Sequence, residues 1–85
     1  IGNFALYANT VGKNNVASGL QALFYNRTGC NNVAIGDESL FGNSSGNNNT
    51  AVGASSLHQN FTGNDNVAVG ADALTTRVSS GTLSR

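Results

Sequence analysis

The strongest constraint on this chain is a tandem repeat with a constant period of 17 residues. A five-residue word of the form Asn32-Val33-Ala34-Ile35-Gly36 recurs along the sequence, and its closing glycine always lies 17 residues after the previous one. These glycines are Gly19, Gly36, Gly53 and Gly70, and Ile1-Gly2 has the form of the end of one more copy. A fixed period of this kind indicates that each copy is one structural unit stacked on its neighbours.

Further columns of identical residues keep the same period. The leucine column is Leu6, Leu23, Leu40, Leu57 and Leu74. Two asparagine columns are Asn9, Asn26, Asn43 and Asn60, and Asn15, Asn32, Asn49 and Asn66. Glycine and asparagine tolerate left-handed backbone, and asparagine also bonds its own backbone in turns. We therefore interpret the asparagine columns and the word-ending glycines as ladders of turn residues.

Composition excludes several classes of function. The 85 residues carry a formal net charge of zero and only 9% are charged, which argues against nucleic acid binding because that needs clustered cations. No apolar stretch is long enough to predict membrane insertion. Proline is absent, as expected for a chain whose backbone is hydrogen-bonded along most of its length.

The repeat length predicts an all-β fold. Seventeen residues are too few for a two-helix repeat, which takes roughly 33, but they suit one coil of a parallel β-solenoid. Each copy is interpreted as a short strand (Val33-Ala34-Ile35), a glycine corner, a second strand around Ser39-Leu40-Phe41 and a polar turn. We predict a β-roll of five coils over residues 1–76, and assign 77–85 to a degenerate terminal coil or boundary segment.

Strand alternation predicts which side chains enter the coil. Val33 and Ile35 share one face and Ala34 points to the other. The larger residues are assigned to the interior together with the leucines. The predicted coil core is Val16, Leu23, Val33, Ile35, Leu40, Val52, Leu57, Val67, Val69 and Leu74. The predicted interchain interface is Ala17, Ala34, Ala51 and Ala68, since a strand apolar on both faces is normally covered on both.

The word Val33-Ala34-Ile35-Gly36, followed by Ser39-Leu40, resembles the head repeats of trimeric autotransporter adhesins. The longer form, Asn43 and Gly46 followed by Asn49-Thr50-Ala51-Val52-Gly53, is similar to arrays in bacteriophage tail fibres and bacterial surface fibre proteins. The resemblance covers residues 1–76. It implies a left-handed parallel β-roll of three chains and an extracellular adhesive or spacer role without catalysis.

Polar residues with catalytic or ligating chemistry do not form columns. Asp37 and Glu38 are adjacent and diverge, and Asp72 would lie roughly 10 Å from Glu38 if repeats rise by about 4.8 Å. His58 is predicted to be a surface-strand residue without a column of metal ligands around it. Cys30, the single cysteine, is interpreted as an inert free thiol, with an interchain disulfide as the alternative. We expect no enzyme activity, no cofactor and no metal.

An aromatic column of Tyr7, Phe24 and Phe41 is predicted to lie opposite the leucines, beside Ala22 and Ser39. Packing in an interface is the favoured role for these rings, and stacking on sugars is the alternative. Four asparagines fit the glycosylation acceptor pattern, and we interpret these matches as by-products of the composition. They are Asn26, Asn43, Asn48 and Asn60.

These patterns together predict a structural or adhesive module of an extracellular homo-oligomeric fibre, at a cell or virion surface. The partner is the chain itself, as a trimer, with a host-surface glycan or protein as a candidate ligand. The alternative is a small subunit that polymerises end to end through open sheet edges. Joining Ile1 to Arg85 of another copy would preserve the period, which supports this alternative.

Overall fold

The computed structural model describes residues 2–60 and 62–73, and these residues form β structure and turns without a helix. Its strands are β1 (Val16–Ser18), β2 (Val33–Ile35), β3 (Thr50–Val52) and β4 (Val67–Val69). They pair in parallel in the order β1-β2-β3-β4. The all-β class and the parallel pairing of repeats are confirmed, and the arrangement is compatible with a β-solenoid. The segment 77–85 lies outside the described residues.

The register of the sheet places like residues over like. Ala17 pairs with Ala34, Ala34 with Ala51, and Ala51 with Ala68. β-branched residues at the first and third positions of most strands favour the extended conformation. Each strand is followed by a glycine in the left-handed region. The φ angles are 126° at Gly19, 127° at Gly36, 125° at Gly53 and 123° at Gly70.

The segment after this glycine is a chain of tight turns, so the predicted second strand around Ser39-Leu40-Phe41 is wrong. Glu38 and Leu40 have φ values of 58° and 51°, in the left-handed region. The Phe41 N–H donates to the Glu38 carbonyl at 3.3 Å, which closes one such turn. A repeat this short has to reverse direction sharply, and alternating left-handed residues provide that curvature. The turns also bond repeat to repeat, because the Leu40 N–H donates to the Ser56 carbonyl at 2.9 Å.

The two faces of the strands are the reverse of the prediction. Leu23, Leu40 and Leu57 are fully buried, in the interior where they were predicted. The alanines are also interior, because Ala17, Ala34, Ala51 and Ala68 are 7%, 0%, 0% and 0% exposed within a single chain. Their assignment to an interchain interface is therefore wrong.

The valines and the isoleucine predicted for the core lie on the outer face instead. These are Val16, Val33, Ile35, Val52, Val67 and Val69, of which Val16, Ile35 and Val69 are 53%, 43% and 45% exposed. Leu74 lies outside the described residues.

The limited space inside each repeat explains this reversal. The interior already holds one leucine and two fully buried asparagine side chains per repeat, such as Leu40, Asn43 and Asn49. Protein interiors pack to high density. The remaining space opposite the strand therefore accommodates the methyl group of Ala34 and not the larger side chain of Val33 or Ile35.

Enlarging a buried alanine is expected to destabilise the fold. Ala34→Leu adds three carbons to an enclosed position, and overpacking of this kind costs about 1–3 kcal/mol. Ala54→Leu is the matched control, because Ala54 is exposed and the substitution should change stability by less than about 0.5 kcal/mol. Urea unfolding followed by circular dichroism measures both. Equal stabilities for the two variants would mean that the alanine column is not enclosed.

Candidate functional site

The first asparagine column forms a side-chain ladder through the interior. The Asn43 Nδ2 donates to the Asn26 Oδ1 at 2.8 Å, and the Asn60 Nδ2 donates to the Asn43 Oδ1 at 2.8 Å. The Asn43 Nδ2 also donates to the Gly46 carbonyl at 3.1 Å. Each carboxamide therefore closes its own turn and also bonds the repeat before it. The members of this ladder are Asn9, Asn26, Asn43 and Asn60.

The second asparagine column is bonded still more densely. The Asn32 Oδ1 accepts the backbone N–H of Asn49 at 2.9 Å and its Nδ2 at 3.1 Å. The Asn49 Nδ2 also donates to the Gly63 carbonyl at 2.8 Å. The members of this ladder are Asn15, Asn32, Asn49 and Asn66.

The two ladders have a structural role. Within the described part of the chain, every buried side-chain nitrogen and oxygen has a hydrogen-bond partner. A buried polar group that loses its partner costs about 1–3 kcal/mol. A slip in register would separate several carboxamides from their partners at once. The ladders therefore fix the register of the repeats.

The outer face of the sheet is the first candidate surface for interaction. We call it the aliphatic face. It consists of the first and third residue of every strand: Val16, Ser18, Val33, Ile35, Thr50, Val52, Val67 and Val69. None of these residues is charged, and none is fully buried. A contiguous apolar surface of this kind marks a site of protein association more often than an isolated exposed side chain does.

The aromatic column forms a second surface feature. Tyr7, Phe24, Phe41 and His58 stack one above another, with ring centroids separated by 5.1, 5.3 and 4.9 Å and ring planes within 10° of parallel. Phe24, Phe41 and His58 are half-buried and Tyr7 is exposed, so the stack lies outside the leucine core as predicted. The stacked rings cover one another's faces, so the stack offers ring edges to solvent along most of its length.

Two residues predicted to lie beside the aromatic column are elsewhere. Ala22 and Ser39 are fully buried, because the turn geometry breaks the strand alternation on which their placement depended. Ser39 Oγ donates to the Gly36 carbonyl at 3.0 Å. His58 lies on the turn segment and not on a strand.

His58 and Glu38 form a contact that the sequence analysis missed. The His58 Nε2 lies 3.2 Å from the Glu38 Oε1, and both side chains are partly exposed. The sequence contained a signal for this contact, because Glu38 lies three residues before Phe41 and His58 lies one repeat after Phe41. In the structure, Phe41 stacks on His58. A partly exposed pair of this kind contributes little to stability.

The remaining polar candidates stay separate. Asp37 and Asp72 are exposed. Among residues 2–60 and 62–73, no group of three or more His, Cys, Asp and Glu residues could hold a metal ion. Cys30 is a partly exposed free thiol whose Sγ donates to the Thr28 carbonyl at 3.4 Å.

Burial separates the four potential glycosylation sites. Asn26, Asn43 and Asn60 are fully buried members of the first ladder, so their carboxamides are inaccessible in the folded chain. Asn48 is exposed.

Neither a membrane-spanning helix in the described ranges nor a similar known protein indicates the function of this chain. The described ranges contain no helix of the length and hydropathy needed to cross a membrane. Compared with models of known protein families, with curated proteins and with solved structures, the chain gives no match.

Proposed function

We propose that this chain is a non-enzymatic structural and adhesive module of an extracellular homo-oligomeric fibre. In this proposal, each 17-residue repeat is one coil of a five-coil, left-handed β-solenoid, and three chains pack through their aliphatic faces. The observation that carries the proposal is the aliphatic face itself: four parallel strands that present uncharged, mostly β-branched side chains outward. The resemblance of the repeat to adhesin heads and tail fibres supports the same assembly.

A second copy of the same chain suits this face better than an unrelated partner. The face repeats with the rise of the sheet, so an identical chain offers the same spacing of side chains along the whole contact. The face carries no charge that would select a partner by electrostatic complementarity. Burying the side chain of Val16, Ile35 or Val69 in the contact would stabilise the assembly by up to roughly 1.5–3 kcal/mol each.

The ladders support a spacer role for the module. Each repeat bonds to the next through its strand, its turns and two carboxamides, so the interface between repeats is the same at every step. In stacked-repeat proteins, length increases with the number of repeats while each repeat contacts only its neighbours. The number of repeats in such a fibre segment would therefore set the distance between its two ends.

A charge placed in the centre of the aliphatic face is expected to separate the chains. In Ile35→Lys, each chain would bring an ammonium group into the apolar contact, which costs several kcal/mol per ion without a partner. Mass photometry or sedimentation velocity should give a single trimer mass for the wild type and monomer for this variant. Ala54→Lys, at an exposed turn position, is the control and should remain trimeric.

The other outcomes of this experiment are equally informative. Circular dichroism confirms that Ile35→Lys keeps the wild-type β content, so that dissociation is not mistaken for unfolding. A ladder of masses, or filaments in electron micrographs, would replace the trimer with the end-to-end polymer. A wild type that remains monomeric at tens of micromolar would contradict both assemblies.

A further inference from the structure

A concavity lies at the corner between the turn segment and the polar turn, away from the aliphatic face. Its volume is about 350 Å³, at the small end of the range for ligand pockets. The residues that line it are Tyr25, Arg27, Thr28, Gly42, Ser44 and Ser45. A tyrosine ring, a cation, a threonine and two serines therefore border one opening.

Tyr25 forms an upright wall of this concavity. Its ring centroid lies 4.7 Å from that of Phe24 and 5.1 Å from that of Phe41, with interplanar angles of 87° and 84°. Phe24 and Phe41 are stacked on each other, so their faces are covered and both meet Tyr25 with their edges. Tyr25 is 48% exposed, so about half of the residue is open to solvent. Tyr25 is thus a supported aromatic platform, unlike the stacked rings beside it.

The concavity lies where a column of the repeat holds a different residue in each copy. The column that contains Tyr25 reads Ala8, Tyr25, Gly42 and Gln59. A bulky ring in one repeat is therefore followed by a residue without a side chain in the next, which leaves the space above the ring unfilled. Stacking of identical repeats would not produce such a gap.

Arg27 gives the concavity its charge. The side chain is exposed, and its guanidinium carries a positive charge. Within residues 2–60 and 62–73, the ion pair that the structure contains is His58 with Glu38, so the Arg27 guanidinium remains available to an external anion. A planar guanidinium binds a carboxylate through two parallel hydrogen bonds.

We infer that this concavity binds a carboxylated pyranose, the ring of a uronic acid type of sugar. The apolar C–H face of the sugar lies on the ring of Tyr25, the carboxylate accepts paired hydrogen bonds from Arg27, and the hydroxyls of Thr28 and Ser45 bond the sugar hydroxyls. The site belongs to one chain, so it does not depend on the oligomeric state. It would supply the ligand class for the adhesive role proposed above, where several copies on one fibre multiply a weak affinity.

Titration with two matched sugars tests this inference. Methyl glucuronide should produce saturable amide shifts in the ¹H–¹⁵N spectrum at the residues that line the concavity, with a dissociation constant of about 1–10 mM. Methyl glucoside, which lacks the carboxylate, should bind at least about tenfold more weakly, since a charge-assisted hydrogen bond contributes about 1.5–3 kcal/mol and 1.4 kcal/mol is a factor of ten. Sodium acetate, which lacks the ring, should bind more weakly than the glucuronide by a similar factor.

Variants separate the contributions of the lining residues. Arg27→Gln should abolish the preference for the glucuronide, and Tyr25→Ala should abolish binding of both sugars. Tyr7→Ala is the matched control, because Tyr7 is an exposed ring outside the concavity, and it should bind as the wild type does. Circular dichroism establishes that each variant is folded before titration.

Two results would overturn the inference. One is the absence of saturable shifts with methyl glucuronide at 50-fold the upper expected dissociation constant, about 500 mM. The other is an unchanged preference for the glucuronide in Arg27→Gln. Neither result bears on the trimer, because particle mass is measured independently of sugar binding.

Discussion

Asn43→Asp is expected to unfold the protein at neutral pH. The substitution keeps the shape of a fully buried side chain but replaces its NH₂ group with an oxygen. That group donates to the Asn26 Oδ1 at 2.8 Å and to the Gly46 carbonyl at 3.1 Å, so two hydrogen bonds would become contacts between acceptors. Burying an unpaired carboxylate adds several kcal/mol. We expect a total loss of at least about 4 kcal/mol, comparable with the whole stability of a domain this small.

The same variant should be less destabilised in acid. Burial raises the pKa of the introduced carboxyl above the value of about 3.9 that it has in the unfolded chain. Its electrostatic penalty is therefore absent below about pH 3.9 and grows as the pH rises above it. The neutral acid can also donate one O–H to the Asn26 Oδ1 or the Gly46 carbonyl. Thermal melts at pH 3 and pH 7, each compared with the wild type, measure this difference.

A carboxamide outside the ladder provides the control. Gln59 is exposed, so Gln59→Glu introduces the same charge without loss of a buried partner, and should change stability by less than about 0.5 kcal/mol. If Asn43→Asp melts within a few degrees of Gln59→Glu at pH 7, the buried ladder does not hold the repeats together.

The stacking of the repeats could be predicted from the sequence, because a period of 17 residues without insertion leaves one register. The same period predicts that Leu40 and Asn43 each lie in a column of identical residues. In the structure, both side chains are buried. The direction of the strand faces could not be predicted in this way. Alternation separates Ala34 from Ile35, but it does not specify which of them is interior. That choice depends on the space that Asn43 and Asn49 occupy, which only the folded repeat defines.

The local geometry of the turn segment also lies beyond sequence patterns. Leucine is an unfavourable residue for positive φ, because its Cβ approaches the backbone in the left-handed region. A φ of 51° at Leu40 is accepted because the leucine side chain is then fully buried and its N–H bonds the Ser56 carbonyl. The concavity beside Tyr25 was missed for a related reason. The repeat is recognised from columns of identical residues, whereas Tyr25 and Gly42 belong to a column in which every copy differs.

Gly46→Ala is expected to have the second largest effect, through steric conflict at the place where both ladders meet the backbone. An added Cβ would clash with the Gly63 carbonyl oxygen and with the Asn43 Oδ1. Neither atom can move freely. The Gly63 oxygen accepts from the Asn49 Nδ2 at 2.8 Å, and the Asn43 Oδ1 accepts from the Asn60 Nδ2 at 2.8 Å. Relief of the clash therefore breaks hydrogen bonds in both ladders.

The expected cost of Gly46→Ala is about 3 kcal/mol or more, from overpacking combined with the lost hydrogen bonds. Ser45→Ala is the neighbouring control, because Ser45 is exposed and its replacement should cost less than about 0.5 kcal/mol. Urea unfolding gives the two free energies, and amide hydrogen exchange locates the damage. Exchange should accelerate most at Asn43 and Asn49, since these residues contact the added methyl group or its displaced partners. If Gly46→Ala is as stable as Ser45→Ala, adjacent repeats are less closely packed than the structure places them, and the ladder geometry is wrong.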